Sequence, residues 1–412
     1  MTAEPSNLLS MPARREPVDA PADSRTADAF ARCASAPRDR TPRLSIIVPF
    51  HRRLDFLERC LDAVTPLPDG WELIIAGDAP VDDCRALASR YGARLLDLPG
   101  PRGPAVARNR AAEVAQGDVL VFIDADVVTS RDALSRVSDT FAREPGIAAV
   151  FGAYDETPAD PGFVSQYKNL AHSYIHQSSA TVAETFWAGF GAVRRQAFAA
   201  VGGFDERMAR PSVEDIDLGY RLTAAGFHVR LDPSLRACHL KRWTWYSMIV
   251  SDIRDRGIPW TQLIMRGGRF NNDLNLKSTY RACVVLAYVG VVLLALAPVQ
   301  PWLLVPLPLL VGTLVVLSRR YYRYFYRQRG LWFVVRLFPL HYLYHLYNGL
   351  SFAAGTLLYT VSRWTRLRLP GALPLEPWGP LAETDHTVAA GEDLRTVSAR
   401  VDAAANRNAI GI

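Results

Sequence analysis

Apolar residues in the first half of the chain alternate between a strand pattern and a helix pattern. Strand-like runs cover residues 44–50, 72–78, 93–99 and 118–127. Leu54, Leu57, Leu61 and Val64 recur at helical spacing, and residues 84–92 and 105–117 continue the helical pattern. Strands that alternate with helices are typical of an α/β domain. The pattern predicts a largely parallel sheet with helices on both faces.

The pattern changes after about residue 277. Residues 282–317 contain no charged side chain, and Pro298 and Pro301 mark a turn within them. Two transmembrane helices over 282–298 and 302–318 fit this pattern, since a span needs about 20 apolar residues. A buried helical hairpin in a soluble protein is the alternative, but so long a charge-free stretch favours the membrane.

Residues 319–369 form a third region, which we expect to hold a basic loop, an interfacial helix and a further membrane segment. The stretch 319–329 is rich in Arg and Tyr, which favours the cytoplasmic side. Both spans then start and end there, so the preceding domain lies in the cytoplasm. Residues 331–340 fit an interfacial helix. Residues 341–361 carry His341, His345 and Asn348 and fit either a third span or a re-entrant segment.

The two ends and the segment before the spans complete the predicted organisation. Residues 1–43 and 370–412 are polar and rich in Ala or Pro, which is typical of disordered tails. Residues 246–281 are aromatic and basic, and we expect them to lie at the membrane interface. The α/β domain itself should extend over 44–245.

Composition narrows the choice of partners. The formal net charge is +6, and nearly all the basic charge is Arg, because Lys occurs only at positions 168, 241 and 277. Motifs for nucleic-acid binding do not accompany this charge, and much of it flanks apolar segments, which indicates a membrane surface rather than nucleic acid. The five cysteines show no paired spacing, which argues against a disulfide framework or a zinc site.

Two carboxylates end the strand at 118–127. Asp124 and Asp126 are one residue apart after an apolar run. Mg²⁺ and Mn²⁺ prefer oxygen ligands and often share them with substrate phosphates. A metal–diphosphate site is therefore one reading of this pair, and a solvated acidic turn is the other.

Other polar residues follow the neighbouring strands. Pro49 and Phe50 end the first strand, and Asp78 ends the second. Ligands of such sheets bind at the carboxyl ends of the strands. An exposed Asp78 could accept hydrogen bonds from a base and a ribose, and Arg108, near the Gly103 loop, could hold phosphate oxygens. An ordinary turn and a solvated helix face are the alternatives.

A second acidic group lies in residues 212–222, which we predict to form a helix capped by Ser212. Asp217 and Arg221 have the spacing of a structural ion pair. The adjacent Glu214 and Asp215 must point in different directions, so one of them could act as a general base. Acidic first turns also occur for helix-dipole reasons alone.

Together these motifs resemble the family 2 glycosyltransferases, which are inverting enzymes with a GT-A fold. The resemblance covers 44 to about 245 and rests on 44–50, the strand that ends at Asp78, 103–126, 187–206 and 213–222. It implies a nucleotide-diphosphate-sugar donor and an Mn²⁺ or Mg²⁺ cofactor. The implied donor-binding residues are Pro49, Phe50, Asp78, Arg108 and Asp124. Many relatives carry two adjacent acids where this chain has Gly77 and Asp78, which affects base preference and not the fold.

The same resemblance assigns further roles. It identifies Asp124 and Asp126 as the metal-binding motif, Asp215 as the catalytic base beside Glu214, and Gly202 and Gly203 as part of the acceptor-side loop. Residues 239–243 resemble the QxxRW motif of processive synthases at Arg242 and Trp243, although His239 replaces Gln. Trp243 could therefore stack on an acceptor sugar and Arg242 could meet the diphosphate, or the aromatic residues here could pack at the membrane interface.

The resulting expectation is a membrane-anchored transferase of bacterial type. It would be a multi-pass protein of the inner membrane with a cytoplasmic catalytic domain, and it would glycosylate a hydroxyl of a lipid-linked or glycan acceptor, with membrane lipid around it. A polyprenyl-phosphate glycosyltransferase and a polysaccharide synthase are alternatives of the same class. A catalytically silent membrane scaffold is the alternative of another class.

Overall fold

The computed structural model describes residues 41–78, 82–98, 100, 102–208, 210–267, 277–367 and 369–376. Nine strands in this part of the chain form one sheet. In chain order they are β1 (Leu44–Phe50), β2 (Glu72–Gly77), β3 (Arg94–Asp97), β4 (Val119–Ile123), β5 (Val127–Thr129), β6 (Ile147–Tyr154), β7 (Val182–Ala183), β8 (Phe190–Arg194) and β9 (His228–His239). The four predicted strands correspond to β1, β2, β3 and the β4–β5 region.

The sheet is mixed, and the prediction of a largely parallel sheet is wrong for its second half. The order is β3-β2-β1-β4-β8-β6-β9-β5, with β7 also on β9. The pairs β1–β2, β2–β3, β1–β4 and β6–β9 are parallel, whereas β4–β8, β6–β8, β5–β9 and β7–β9 are antiparallel. Apolar patterning marks a buried strand, but long-range pairing decides its direction.

Helices cover both faces of the sheet, as the sequence predicts. In chain order they are α1 (Leu54–Val64), α2 (Asp82–Arg90), α3 (Pro104–Val114), α4 (Ala133–Arg143), α5 (Phe163–Gln177), α6 (Arg195–Ala200) and α7 (Glu214–Ala224). Alternate strand residues point to opposite faces. Ile47 and Phe122 pack in the core with α3, α6 and α7, while Ile46 and Val121 pack in the core with α1 and α4.

The chain after β9 is almost entirely helical. It forms α8 (Trp245–Val250), a π-helix (Ser251–Gly257), α9 (Ile258–Gly267), α10 (Ser278–Leu296), a 3₁₀ turn (Pro301–Leu304), α11 (Leu307–Leu317) and α12 (Arg319–Thr365). Gly330, with φ of 78°, breaks α12 into two parts. Large apolar side chains on α10 and α11, Val292 and Leu309 among them, are exposed.

The two predicted spans are not equally supported. In the described residues, α10 is long and apolar enough to cross a membrane, with 19 residues and a mean hydropathy of 2.0. The α11 helix has 11 residues, which is about 16 Å and shorter than a hydrocarbon core of about 30 Å. It could contribute to a second span only together with α12. The helical segment 301–317 and α12 are bent by 69° relative to each other.

Two segments are more ordered than the sequence predicts. The predicted basic loop at 319–329 is the start of α12, where Tyr321 and Phe325 pack against Tyr167 of α5. The predicted C-terminal tail begins with residues that contact α9: Leu373 donates its amide to Gln262, which also donates to the Gly371 carbonyl. Side chains of α9 satisfy these backbone groups, so residues 370–376 are held in place. The predicted tails otherwise lie at 1–40 and 377–412, outside the described residues.

Candidate active site at the ends of the strands

Asp124 and Asp126 lie in the turn between β4 and β5. Their side chains are 35% and 30% exposed, so both can reach a ligand. One oxygen of Asp124 accepts a hydrogen bond of 2.7 Å from Nη2 of Arg108. Burial raises the pKa of Asp124, and the charge of Arg108 opposes this effect. The pair therefore lies on an accessible edge but is tied to the buried interior.

Arg108 joins the two acidic groups that the sequence singles out. Its Nη1 donates 2.9 Å to Oε1 of Glu214, the first residue of α7, while Nη2 contacts Asp124. The Arg108 and Glu214 side chains are each 5% exposed. The prediction that Arg108 holds phosphate oxygens does not fit this geometry, because two carboxylates already occupy its guanidinium. We interpret Arg108 as the link between the β4 turn and α7.

The glycines of the predicted acceptor loop support this link. Gly202 and Gly203 adopt φ of 80° and 68° and are buried. A Cβ on Gly203 would lie 2.7 Å from Oδ1 of Asn109, so only glycine fits the turn. That oxygen accepts a hydrogen bond from the Phe204 amide, and the Phe204 ring lies 5.3 Å from the Arg108 guanidinium carbon. The buried glycines therefore position Phe204, and their predicted role in acceptor binding is not supported by exposed surface.

Asp78 is buried, contrary to the prediction of an exposed carboxylate. Its two oxygens accept hydrogen bonds of 2.7 and 2.9 Å from the backbone amides of Arg102 and Gly103. Its own amide donates 2.7 Å to the carbonyl of Phe50. Asp78 thus ties the loop before α3 to the ends of β1 and β2. Pro49 is partly exposed beside it, and Phe50 is buried in the core.

His239 is a site residue whose role sequence reasoning missed. Its Nε2 lies 3.2 Å from Oδ2 of Asp126, and its Nδ1 lies 2.8 Å from Oδ1 of Asn169. The ring also stacks on Tyr154 at 4.8 Å. Burial alone would raise the pKa of Asp126. The hydrogen bond and charge of His239, together with the charge of Lys241, outweigh this effect, so the pKa of Asp126 is lowered. The available signal was the His within residues 239–243, which the sequence comparison treats only as a departure from Gln.

Asp124 and Asp126 suit a cation that is bound jointly by protein and substrate better than a cation that is bound by protein side chains alone. Among the described residues, no group of three or more His, Cys, Asp or Glu side chains converges on a metal position. Mg²⁺ and similar ions are often held by one or two carboxylates together with substrate phosphates. Asp124 and Asp126 are partly exposed, and each has an oxygen beyond the one that contacts Arg108 or His239. The donor set therefore fits an ion that arrives with a diphosphate.

Asp215 is oriented by backbone amides. Its oxygens accept hydrogen bonds from Ala188, at 3.2 Å, and from Ile216, at 2.8 Å. Burial, together with the negative charge of Glu214, raises the pKa of Asp215 to about 7. A carboxylate with such a pKa can both accept and release a proton near neutral pH.

The predicted Ser212 cap is wrong, because the Ser212 hydroxyl donates instead to the carbonyl of Asp255. The Asp217–Arg221 pair is present, at 2.7 Å.

A cavity of about 80 Å³ reaches Asp215. Trp187, Trp260, His172, His176 and Arg256 are among its lining residues. Neither Asp78 nor Asp124 is among the described residues that line it. This cavity therefore does not join Asp215 to Asp78, and it opens Asp215 toward Arg256 and Trp260, which follow β9.

Arg242 and Trp243 have different environments. Trp243 is 6% exposed and packs with Tyr167, Met248 and Phe325 beneath α12. Such burial favours the packing interpretation over a role in stacking on an acceptor sugar. Arg242 is 80% exposed, and its Nε lies 3.8 Å from Asp160.

Known proteins resemble the first half of the chain. The model of the family described as Glycosyl transferase family 2 matches residues 45–202. The pre-mycofactocin glycosyltransferase of Mycobacterium tuberculosis is 28% identical over 220 residues, which are 51% of this chain and 45% of that protein. A putative teichuronic acid biosynthesis glycosyltransferase, TuaG of Bacillus subtilis, is 32% identical over 130 residues, which are 29% of this chain and 51% of TuaG. The chain spans about half the length of these curated relatives.

Among solved structures, a similar one is the mannosyltransferase PcManGT from Pyrobaculum calidifontis in complex with GDP-Man and Mn²⁺. It is 16% identical, with a TM-score of 0.45, and the match covers 82% of this chain and 93% of that chain.

Proposed function

We propose, since the model of glycosyl transferase family 2 matches residues 45–202, that this protein is an inverting glycosyltransferase. It would move a sugar from a nucleotide-diphosphate-sugar to a hydroxyl of a lipid-linked or glycan acceptor. One observation carries the proposal: Arg108 hydrogen-bonds both Asp124 and Glu214, so the candidate metal turn and the candidate base helix form one unit. A scaffold without activity would not need a partly exposed and a buried carboxylate held around one buried guanidinium.

Asp215 is the proposed general base. The amides of Ala188 and Ile216 hold its carboxylate, and a cavity leads to it. Its pKa of about 7 suits proton transfer at neutral pH. Glu214 is engaged by Arg108 and by the Ser212 amide, so it is a poor candidate for this task.

The reaction is a single displacement. The acceptor oxygen forms a bond to the anomeric carbon while its proton passes to Asp215. The bond between that carbon and the diphosphate oxygen breaks, and the nucleoside diphosphate leaves with the electron pair. Attack opposite to the leaving group inverts the anomeric configuration.

Asp124 and Asp126 are the proposed holders of Mg²⁺ or Mn²⁺. When bound, such an ion would neutralise charge on the diphosphate as a Lewis acid. Arg108 fixes Asp124, and His239 fixes Asp126, so both carboxylates are oriented before any ligand binds. Partners that orient a ligand side chain in this way strengthen metal sites.

Membrane association is part of the proposal. The exposed apolar residues of α10 and α11 require a nonpolar environment, and α10 has the length of a span. We propose that these helices anchor the chain to the inner membrane, with the catalytic domain on the cytoplasmic side. A chain that sodium carbonate releases fully from membranes would contradict this anchor.

An Asp215→Asn variant tests the proposed base. Sugar transfer from a panel of nucleotide-sugars to total membrane lipid, with Mn²⁺, should fall by about 10²–10⁴-fold, which is the usual effect of losing a general base. Asp139→Asn changes an exposed carboxylate of α4 and should leave the rate unchanged. Equal rates in Asp215→Asn and wild-type protein would overturn the assignment of the base. If the wild-type protein neither hydrolyses nor transfers sugar from any donor in the panel, the proposal that it is an enzyme is overturned.

A further inference from the structure

A second and larger cavity, of about 360 Å³, lies between the catalytic domain and the helices that follow it. Its walls come from α5, the π-helix with α9, α10 and the second part of α12. Most of the lining surface is apolar or aromatic, with Tyr167, Val284, Tyr344 and Phe352 among its residues. Cavities of this size and character are typical of small-molecule sites. Asp124, Asp126 and Asp215 are not among the described residues that line it.

One end of this cavity adjoins the cavity at Asp215. His172, Ile175, Arg256 and Trp260 line both. A ligand whose apolar part fills the larger cavity would therefore place its polar end near Asp215. Such an arrangement suits an acceptor that is an amphiphile.

Charge at the shared end favours an anion. Lys168 and Asp252 form a buried ion pair, to which the Tyr347 hydroxyl also donates. Arg256 hydrogen-bonds His172, whose pKa is lowered well below its usual value by burial and by the charge of Arg256. His172 is therefore neutral, so Arg256 rather than His172 supplies the positive charge at this end of the cavity. Arg256 also lies in the π-helix, a conformation that is frequent at functional sites.

The cavity also has exposed apolar residues in its lining, so it opens to the surface. Val285 on α10 and Phe352 on α12 line it and are 62% and 44% exposed. Deeper inside, His345 is fully buried, and neither ring nitrogen has a hydrogen-bond partner within the described part of the chain. A buried polar group without a partner is costly, so a bound molecule with a polar group would satisfy it.

We propose that this cavity binds the acceptor, and that the acceptor is an amphiphile with one apolar chain and an anionic group. The chain enters between Val285 and Phe352, the anion pairs with Arg256, and the hydroxyl to be glycosylated reaches Asp215. This inference rests on the proposed function, because it supplies the acceptor site for the proposed base.

A photoreactive dodecyl phosphate with a diazirine in its chain tests the site without requiring sugar transfer. The full-length protein in detergent is illuminated with the probe, and labelled peptides are mapped by mass spectrometry. Labels should lie on residues that line the cavity in α5, α9 or α12. Labels found only on the exposed outer faces of α10 and α11 would overturn the proposal.

Two variants of one helix provide a matched comparison. Val284→Trp fills the cavity from α10, whereas Val292→Trp places the same side chain on an exposed face of α10. Val284→Trp should reduce labelling at least tenfold, and Val292→Trp should leave it unchanged. Equal labelling in both variants would contradict the proposal. Donor affinity, measured by calorimetry with nucleotide and Mn²⁺, should be normal in both, which separates loss of the acceptor site from misfolding.

The anion is tested with Arg256→Gln and with two competitors. Labelling by the dodecyl phosphate should fall about tenfold in Arg256→Gln, while labelling by the matching uncharged dodecanol probe should not change. Because the apolar chain is needed for binding, unlabelled dodecyl phosphate should reduce labelling by the probe. Ethyl phosphate and inorganic phosphate should not reduce it. Equal competition by inorganic phosphate would indicate a simple anion site and overturn the lipid-like acceptor. A protein that labels correctly but binds no nucleotide would instead contradict the proposed function.

Discussion

Nη1 of Arg108 lies 2.9 Å from Oε1 of Glu214, although 106 positions separate these residues along the chain. Both side chains are almost fully buried. Arg108 belongs to α3 and Glu214 begins α7, so the pair joins two helices on one face of the sheet. Because Arg108 also contacts Asp124, the ion pair sets the position of the candidate metal turn.

Replacement of Arg108 by Met should destabilise the fold strongly. Loss of one partner leaves a buried charge uncompensated, which costs about 3–5 kcal/mol. Denaturant unfolding measures the loss. Arg110→Met, on the same helix, removes partly exposed ion pairs and should cost less than about 1 kcal/mol. Similar losses in the two variants would contradict the buried-pair interpretation.

Activity should depend on pH through Asp215. The base must be ionised, and its pKa is about 7, so the rate should fall about tenfold per pH unit well below neutrality. The pH profile of kcat measures this dependence. A profile that is flat from pH 5 to pH 8 would exclude Asp215 as the titrating group.

The ionisation of Asp215, which should raise activity as pH rises, should lower the stability of the folded protein over the same pH range. The folded pKa of about 7 lies above the ordinary value of 3.8. Between these pH values the folded protein keeps a proton that the unfolded chain has lost, so this contribution to stability decreases as pH rises toward 7. Asp215→Asn should therefore be more stable than wild type at pH 8, by roughly 1–3 kcal/mol after allowance for partial exposure. Denaturant midpoints at pH 4 and pH 8 test this, since the difference should vanish at the lower pH.

Asp126→Asn should weaken metal-dependent donor binding. The variant keeps a hydrogen-bond acceptor for His239 but removes the negative charge that attracts a divalent ion. Calorimetry with nucleotide and Mn²⁺ should show at least tenfold weaker binding, since even the loss of a partner that only orients a metal ligand costs about 10–100-fold. Asp132→Asn, an exposed carboxylate of the α4 N-terminus, is the control. Unchanged affinity in Asp126→Asn would remove this residue from the site.

Trp243 should matter for stability rather than for acceptor recognition. Trp243→Ala removes a large side chain from a packed cluster and should cost about 3–5 kcal/mol. Trp243→Phe retains most of this packing, so its transfer kinetics should match those of wild type. Trp245→Ala, at a half-exposed position nearby, should have little effect on stability. A raised acceptor KM in Trp243→Phe with normal stability would restore the sugar-stacking role.

The sequence predicted much of the local structure because local structure depends on local patterns. The alternation of apolar residues placed β1 to β4 and the helices between them within a few residues. The spacing of Asp217 and Arg221 predicted their ion pair, since residues four apart on a helix are neighbours. The acids at 124, 126, 214 and 215 were recognisable because they follow a buried strand or begin a helix.

The burial and the contacts of individual side chains could not be predicted in the same way. Asp78 was expected to be exposed, but the amides of Arg102 and Gly103 cover it. Trp243 was left between two interpretations until its contacts with α12 were known. Neither result depends on residues nearby in the chain, so no local pattern could have indicated it.

Patterning and residue chemistry thus specify the strands, the helices and the carboxylates of this protein. The three-dimensional fold alone decides which partners those groups meet: Arg108 with Glu214, Asp126 with His239, and Arg256 between two cavities. The reason is that a strand or helix forms from interactions over a few residues, whereas an ion pair or a cavity requires segments far apart in the chain to pack together.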